Sequence, residues 1–268
     1  IRYFAVAESV EEIPELQKFA KEKGVPFFLL GFGSNVLVSD SGFDGLIVKL
    51  GKNFSHFKFD KERLSVKAAT PLSLIARTSA TLGLSGMHLL AGIPGSIGGA
   101  VTMNAGAYGG EIKDVLIDAT VLTADGELKT VTRDELDLSY RHSIVPEKGD
   151  IVLSARFRLT PKPKDEIKSY MAELRTKRVE KQPLEYPSAG STFKRPEGYF
   201  AGKLIMDAGL RGYSVGDAQV SQKHCGFVVN KGEATAADVL TLIKDVQETV
   251  IKQFGVKLEP EVKMIGEF

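Results

Sequence analysis

The chain has little that would tie it to an oxidising compartment or to a membrane. It has one cysteine, Cys225, among 268 residues, so no internal disulfide can form, and this suits a reducing cytoplasm. No apolar run is long enough to cross a bilayer. The apolar stretch at the start is too short for a signal peptide, and acidic residues follow it. The chain also lacks an initiator methionine, so we expect further residues before Ile1.

An excess of charge of one sign is absent as well. The 35 basic and 34 acidic residues nearly balance, which argues against a nucleic-acid or membrane-surface partner, because both usually need a basic excess. Any anion-binding site must therefore be local. Histidine is scarce, and His56, His88 and His142 show no metal-ligand spacing with cysteine or acidic residues. We therefore expect no metal site.

The first 50 residues predict a compact β-α-β-β unit. Residues 1–6 predict a strand. The stretch SVEEIPELQKFAKEKG predicts a helix that begins with a capping box of Ser9 and Glu12 and ends at Gly24. Pro14 fits only the first turn of such a helix. VPFFLL then predicts a buried strand, and NVLVS and GLIVKL predict two more strands.

The remaining 218 residues predict further strands and helices, and the 43% hydrophobic content of the chain is enough for a sizeable core. PLSLIARTSATLG predicts a helix with Pro71 in its first turn. A hairpin is expected to turn at Asp125-Gly126, and the stretch after PKP predicts a charged helix. Thr235 is the expected cap of a final amphipathic helix. The length suggests about two domains.

The segment GFGSNVL begins like a dinucleotide-binding fingerprint, with Gly31 and Gly33. The third glycine is absent, and strand-forming residues follow where a helix should begin, which argues against a Rossmann fold. The backbone N–H groups of Gly33, Ser34 and Asn35 could still form an anion-binding nest. A plain turn between strands is the alternative.

The segment AGIPGSIGGAVTMNAGAYGG, residues 91–110, is almost without bulky side chains. Nine of the 27 glycines fall between Gly83 and Gly110, and each glycine in regular structure costs roughly 0.5–1 kcal/mol. Such density is expected where the backbone must closely approach a flat, phosphate-bearing cofactor. The alternative is a long loop packed on itself.

Five segments in this order, GFGSNVL, AGIPGSIGGAVTMNAGAYG, YRHSIV, AGSTFKRP and LEPEVKMIG, resemble the UDP-N-acetylenolpyruvoylglucosamine reductases. The resemblance implies an α+β FAD-binding fold of the vanillyl-alcohol-oxidase type. It further implies a flavin-binding subdomain at 1–50, completed by 255–268, a second at 51–180, and a substrate-binding α+β domain at 181–254. The chain resembles the shorter form, which lacks an extra tyrosine loop, so Tyr186, Tyr199 and Tyr213 are open candidates for covering the substrate.

The resemblance implies non-covalent FAD, with NADPH as the reductant. The residues that it assigns to the cofactor lie in the two glycine-rich segments: Gly31, Gly33, Ser34, Asn35, Val36, Leu37, Gly92, Ile93, Pro94, Gly95, Ser96, Gly98, Gly99, Ala100, Asn104, Gly106, Ala107, Tyr108 and Gly109. This assignment agrees with the independent expectation of bare backbone beside a phosphate.

The family reaction reduces the enolpyruvyl group of UDP-N-acetylglucosamine-enolpyruvate to give UDP-N-acetylmuramate for the bacterial cell wall. By resemblance, Ser191 is the proton donor, although an unperturbed hydroxyl is a poor acid and needs help from nearby charge. Arg141 matches the arginine near the substrate carboxylate, and Glu261 matches a glutamate at the same centre. We hypothesise that Glu261 is partly protonated there, with its pKa raised by burial and like charge. The structural alternatives are a turn hydroxyl for Ser191, a surface arginine for Arg141 and a strand-end carboxylate for Glu261.

The resemblance leaves Lys194, Arg195 and His224 as candidate substrate contacts, although a lone histidine is more often structural. The expected partner is a small nucleotide-sugar, bound by a cytoplasmic monomer or weak oligomer. One alternative function is a related FAD oxidase of small alcohols or lactones, which would not need Ser191, Arg141 and Glu261 together. Another is an FAD- or nucleotide-sugar-binding module without turnover.

Overall fold

A computed structural model describes the whole chain, residues 1–268. The strands are β1 (Tyr3–Ala7), β2 (Phe27–Leu29), β3 (Val36–Val38), β4 (Leu46–Leu50), β5 (Phe57–Asp60), β6 (Arg63–Lys67), β7 (Leu84–Ser85), β8 (Gly106–Ala107), β9 (Gly110–Glu111), β10 (Leu116–Leu122), β11 (Leu128–Thr132), β12 (Ile151–Arg158), β13 (Thr160–Pro161), β14 (Ser214–Val215), β15 (Ala218–Val220), β16 (Val228–Asn230) and β17 (Lys263–Ile265). The α-helices are α1 (Glu12–Glu22), α2 (Leu72–Leu82), α3 (Ile97–Thr102), α4 (Val145–Lys148), α5 (Lys164–Lys181), α6 (Ala201–Asp207) and α7 (Ala236–Phe254).

The chain forms two compact units. The first comprises Ile1–Gly33 and Asp44–Thr176, and the second comprises Ser34–Phe43 and Lys177–Phe268. The division into two flavin-binding subdomains and a substrate domain stays a prediction. No helix has both the length and the apolar character that crossing a membrane requires.

The first unit opens with a parallel sheet of strand order β1-β4-β2, and α1 packs against it. Ala7, Ile13 and Val48 are fully buried where helix and sheet meet. The predicted strands are confirmed, but the predicted compact β-α-β-β unit was wrong, because β3 pairs with β17 in the second unit. Strand β2 is only partly buried, because it lies at the edge of the sheet and pairs with β4 alone. The expectation of a buried strand there was wrong.

The predicted capping box at the start of α1 was also wrong. The helix begins at Glu12, and the Glu12 carboxylate accepts a 2.7 Å hydrogen bond from the Glu8 N–H. A start at Ser9 would have placed Pro14 beyond the first turn, where its missing N–H and its ring disrupt the helix. The predicted end is confirmed, because Gly24 follows the last turn with φ +64°.

A five-stranded antiparallel sheet of order β11-β10-β12-β6-β5 forms the larger part of the first unit. Leu64, Val66 and Phe157 point to its inner face, where α2 and α3 contribute to one buried cluster. The predicted hairpin between β10 and β11 is confirmed, with Gly126 at φ +85°. Pro71 is the residue before α2 rather than part of its first turn, and it has extended backbone angles.

The second unit packs α6 and α7 around a small antiparallel sheet of order β14-β15-β16. Leu242, Ile243 and Val246 form the buried face of α7. The strand β3 pairs in parallel with β17, near the end of the chain. The segment that follows Gly33 is therefore tied to the last residues of the chain.

Thr235 caps α7 as predicted, and its replacement should measurably destabilise the fold. Its Oγ1 accepts from the Asp238 N–H at 3.0 Å, and the Asp238 carboxylate accepts from the Thr235 N–H at 2.9 Å. We expect Thr235→Ala to lower the free energy of unfolding by about 1 kcal/mol. Urea denaturation of the protein measures this change.

Thr241→Ala is the matched control, because Thr241 lies inside α7 and its hydroxyl donates only to the Ala237 carbonyl. We expect it to be neutral or slightly stabilising. The bonds from Thr235 hold the pKa of Asp238 below its usual value. The stabilisation from this carboxylate is therefore present at neutral pH and lost as the pH falls through that lowered pKa. Equal losses in the two variants at neutral pH would contradict the capping role.

Candidate functional site

The structure brings Gly31, at the start of the first glycine-rich segment, against the second glycine-rich segment inside the first unit. A Cβ atom added at Gly31 would lie 3.1 Å from the Ser96 Oγ, so only glycine allows this approach without a shift. The Leu72 N–H donates to the Gly95 carbonyl at 3.0 Å, and Pro71 forms a β-bridge with Ser96. The start of α2 and the turn after β2 thus both contact the second glycine-rich segment.

The turn after β2 presents backbone amides that fit an anionic cofactor group. The Leu30 N–H still donates to the Val48 carbonyl at 2.8 Å, but the amides of residues 31–33 donate to no group of the protein. Gly33 has φ +70°, and the turn is exposed. Successive amides in such a turn form a concave anion-binding nest. These residues therefore fit the pyrophosphate of a dinucleotide.

The residues that follow this turn belong to the second unit. The Asn35 side-chain amide donates to the Glu261 carbonyl at 3.0 Å. The Asn35 carbonyl accepts from the Lys263 N–H, also at 3.0 Å. Asn35 therefore fixes the position of the C-terminal segment, a structural role that the sequence motif did not predict. Its contact with the cofactor stays a prediction.

The amides at the start of α3 are already used within the protein. Ile97 and Gly98 donate to the carbonyls of Thr70 and Ala68, and Gly99 donates to the Ser96 Oγ. A Cβ at Gly98 would lie 3.0 Å from that of Ala68. Close packing of α3 against the chain after β6 therefore explains this glycine without a ligand.

Thr70 is a residue of this region that the sequence did not single out. Its side chain is fully buried, and its Oγ1 has no hydrogen-bond partner in the protein. A buried hydroxyl without a partner costs about 1–3 kcal/mol. A polar group of a bound cofactor would relieve that cost, so Thr70 adds to the fit. A lone threonine before a proline carries no motif, which is why sequence reasoning missed it.

Asn104 anchors the end of the second glycine-rich segment. It is fully buried at φ +42°. Its Nδ2 donates to the Ser139 carbonyl at 2.8 Å and to the Glu111 carboxylate at 3.1 Å, and its Oδ1 accepts from the Lys113 N–H. All these partners lie within the first unit. The predicted cofactor contact of Asn104 stays a prediction beside this structural role.

We expect Asn104→Ala to destabilise the chain by about 3 kcal/mol, because it removes the hydrogen bonds of a fully buried side chain and because alanine tolerates the left-handed region less well than asparagine does. Asn104→Gly is the matched control. It loses the same hydrogen bonds but tolerates positive φ, so its loss should be smaller by up to about 1 kcal/mol. Thermal and urea unfolding of the protein measure both. Wild-type stability in Asn104→Ala would contradict the anchoring role.

Arg141 lies in a tight turn of the first unit. Ser139 and His142 exchange backbone hydrogen bonds across the turn, and Arg141 has φ +56°. Its Nη2 donates to the Gly106 carbonyl at 2.8 Å, and its guanidinium carbon lies 4.9 Å from the centre of the Tyr140 ring. The structure therefore places this guanidinium against the glycine-rich segment, as a site residue requires.

Ser191 and Glu261 lie on neighbouring extended segments of the second unit. Ser191 forms a β-bridge with Phe227. The next residue, Thr192, donates its N–H to the Gly226 carbonyl at 2.9 Å, and its own carbonyl accepts from the Glu261 N–H at 2.8 Å. Ser191 is exposed, and Glu261 is half-buried. The backbone of Thr192, the residue after Ser191, thus pairs with the backbone of Glu261.

The two cations that follow Ser191 are both held in place. Lys194 lies 3.4 Å from the Glu259 carboxylate in an exposed ion pair, which contributes little to stability. The Arg195 Nε donates to the Tyr199 carbonyl at 3.3 Å, and its guanidinium carbon lies 3.9 Å from the centre of the Phe200 ring. Their role in binding a diphosphate stays a prediction.

His224 has a structural explanation for its contacts. Its Nδ1 accepts from the Gly226 N–H at 3.0 Å, and its ring packs edge-to-face on Phe227 at 5.0 Å. Burial lowers the pKa of His224, so the imidazole is neutral at neutral pH. Its role as a substrate contact stays a prediction.

Comparison with known proteins decides the family. The model of the UDP-N-acetylenolpyruvoylglucosamine reductase C-terminal domain matches residues 182–265, and an FAD binding domain model matches residues 1–132. A UDP-N-acetylenolpyruvoylglucosamine reductase from Agathobacter rectalis is 71% identical over 278 residues, covering 99% of this chain and 88% of the relative. The chain belongs to the UDP-N-acetylenolpyruvoylglucosamine reductase family.

Other members of the family agree. The reductase from Lachnoclostridium phytofermentans is 51% identical, with 99% of this chain and 87% of the relative covered. The crystal structure of the Thermus caldophilus reductase superposes with a TM-score of 0.82 at 38% identity, covering 97% of this chain and 91% of that one.

Membership of this reductase family confirms four of the predictions. The fold is an α+β FAD-binding fold with a C-terminal domain. The cofactor is FAD, with NADPH as the reductant. The chain is an oxidoreductase enzyme, and the resemblance drawn from the five segments is correct. The alternative of a small-alcohol or lactone oxidase is not favoured.

Proposed function

We propose that this chain reduces the enolpyruvyl group of UDP-N-acetylglucosamine-enolpyruvate to UDP-N-acetylmuramate, with the proton supplied by Ser191. The bound FAD supplies the hydride, which comes from NADPH. The observation that carries the proposal is the pairing of the Ser191 and Glu261 segments through Thr192, in a chain that belongs to this reductase family.

Ser191 delivers the proton to the carbon next to the substrate carboxylate. Gly190, at φ +87°, precedes it, and the buried Thr192 follows it. The Thr192 Oγ1 accepts from the Val228 N–H at 2.9 Å and locks this backbone further. A hydroxyl is a weak acid, so its position and the nearby Lys194 cation must assist the transfer.

Arg141 stabilises the negative charge that grows on the substrate carboxylate. A guanidinium stays charged at every working pH and offers a planar fork to a carboxylate. Its bond to the Gly106 carbonyl and its contact with Tyr140 fix its direction. Arg141 belongs to the first unit, and its contact with the substrate carboxylate is part of the proposal.

Glu261 donates a hydrogen bond to the same substrate carboxylate, in its protonated form. The rate of substrate reduction should then fall as the pH rises and Glu261 loses its proton in the complex. Glu261→Gln should slow this step and remove the alkaline fall in rate. Stopped-flow measurement of flavin reoxidation by substrate across pH gives both values.

Glu259→Gln is the control, because Glu259 pairs with Lys194 at an exposed position two residues away. Its pH profile should match that of the unaltered chain. If Glu261→Gln keeps the alkaline fall in rate, Glu261 is not the titrating donor.

The remaining assignments are part of the same proposal. Lys194 and Arg195 bind the diphosphate of the nucleotide-sugar, and His224 supports the pocket from one side. The enzyme acts in the cytoplasm as a monomer or weak oligomer. Its product feeds peptidoglycan synthesis and thereby cell shape and division. The single buried cysteine suits a reducing cytoplasm.

An anaerobic two-step assay tests the whole reaction. NADPH should bleach the absorption of the bound flavin, and the colour should return when UDP-N-acetylglucosamine-enolpyruvate is added without oxygen. Recovery with oxygen but not with this substrate would identify an oxidase. If NADPH never bleaches the flavin, the protein is a binding module without turnover.

A further inference from the structure

The outer face of the five-stranded sheet carries a basic cleft on β5, β6 and β12. Side chains alternate along these strands, so Leu64 and Phe157 are buried on the inner face while their neighbours point outward. A cavity of about 480 Å³ lies among the outward side chains. We use the term basic cleft for the cavity lined by Lys58, Asp60, Arg63, Leu64, Ser65, Ile117, Arg156 and Arg158.

Like charges face each other in this cleft. Arg63 on β6 lies directly opposite Arg158 on β12, and like charges at such positions are destabilising. Neither arginine has a carboxylate within 4 Å, and the same holds for Lys58 on β5. Asp60 lies opposite Arg63 in the ladder but forms no ion pair with it.

The fourth cation of the cleft, Arg156, is neutralised by a carboxylate of the protein itself. Arg156 forms a two-pronged contact with Asp118, whose carboxylate accepts from both Nε and Nη2. This contact raises the pKa of Arg156. The remaining three cations face one carboxylate. Because the whole chain is nearly neutral, this excess is a local feature.

We propose that the basic cleft binds the phosphoryl group of a small phosphorylated ligand, at a site separate from the cofactor and substrate site. The planar guanidinium groups of Arg63 and Arg158, on neighbouring strands, match the geometry of a phosphoryl group. Lys58 and the Ser65 hydroxyl add further hydrogen-bond donors. The cavity volume lies in the range of small-molecule sites, so it admits more than the phosphoryl group alone.

The cleft is separate from the glycine-rich segments of the same unit. The second of these segments contacts the inner side of the sheet, where Ile97, Ala100 and Val101 of α3 are buried with Leu64 and Val66. Arg63 and Arg158 point to the opposite side. Binding in the cleft is therefore distinguishable from binding of FAD, and the inference does not rest on the proposed function.

Backbone amide NMR shifts of the FAD-loaded protein test the inference. Inorganic pyrophosphate is titrated to about 10 mM, which is enough to saturate a site with a Kd of about 1 mM. The amides of Ser65 and Arg158 should shift and saturate. In Arg63→Gln/Arg158→Gln the affinity should fall at least tenfold, whereas Asp60→Asn should raise it several-fold by removing the one repelling carboxylate. Lys67→Gln, an outward cation on β6 outside the cleft, should leave the affinity unchanged.

Two further arms sharpen the result. Inorganic phosphate and a sugar phosphate are titrated in the same way; tighter binding of the sugar phosphate supports a phosphorylated metabolite, and equal binding supports recognition of the phosphoryl group alone. The double variant removes facing like charges, so its melting temperature should not fall at low salt. Absence of saturable shifts at Ser65 and Arg158, or equal affinity in the double variant, overturns the inference.

Discussion

Ser191→Ala should leave reduction of the bound flavin by NADPH intact and slow reduction of the enolpyruvyl substrate by several orders of magnitude. A positioned general acid contributes about 10²–10⁴-fold, and alanine has no proton to donate at this position. Anaerobic stopped-flow measurement separates the two half-reactions. The large effect should appear only in the second.

Ser188→Ala is the matched control for this loss. Ser188 lies in the same loop, and its hydroxyl donates to the Val228 carbonyl at 2.7 Å, so it supports the loop without reaching substrate in the proposal. We expect a modest effect, shared by both half-reactions. If Ser191→Ala also slows both halves equally, its hydroxyl is structural and the proton comes from elsewhere.

Arg141→Gln should slow the substrate half-reaction by about 10²–10³-fold, the cost of removing one charge-stabilising donor from a transition state. Glutamine keeps a polar side chain of moderate length. The backbone strain at φ +56° should be similar for glutamine and arginine, because both have an unbranched side chain. Reduction by NADPH and the affinity for FAD should change little. The same stopped-flow assay and a fluorescence titration of FAD measure these quantities.

Two control variants show whether a slower rate in Arg141→Gln comes from the lost contact with substrate. Arg141→Lys keeps the charge but loses the planar fork, so it should recover only part of the rate. Arg133→Gln removes an exposed arginine that pairs with Asp134 in the same unit, and it should behave like the unaltered enzyme. Loss of FAD binding in Arg141→Gln would show that the bond to the Gly106 carbonyl matters more than contact with substrate.

Features that depend on neighbouring residues could be predicted from the sequence. The capping box of α7 needs only Thr235 and Asp238, and the turn between β10 and β11 needs only a glycine at the position of positive φ. The glycine-rich segments likewise indicated a cofactor, because bare backbone is a property of the sequence itself. The start of α1 was mispredicted, because the position of Pro14 decided it rather than the capping pattern.

The sequence by itself determined the reductase family and singled out the candidate FAD-binding segments and the candidate catalytic residues, since each is carried by a short motif. Only the tertiary structure decided that Gly31 must lie against Ser96, that Thr192 links the Ser191 and Glu261 segments, and that Arg63 faces Arg158. Motifs act over a few residues, whereas these contacts join distant parts of the chain. They depend on strand register and packing, which no local pattern specifies.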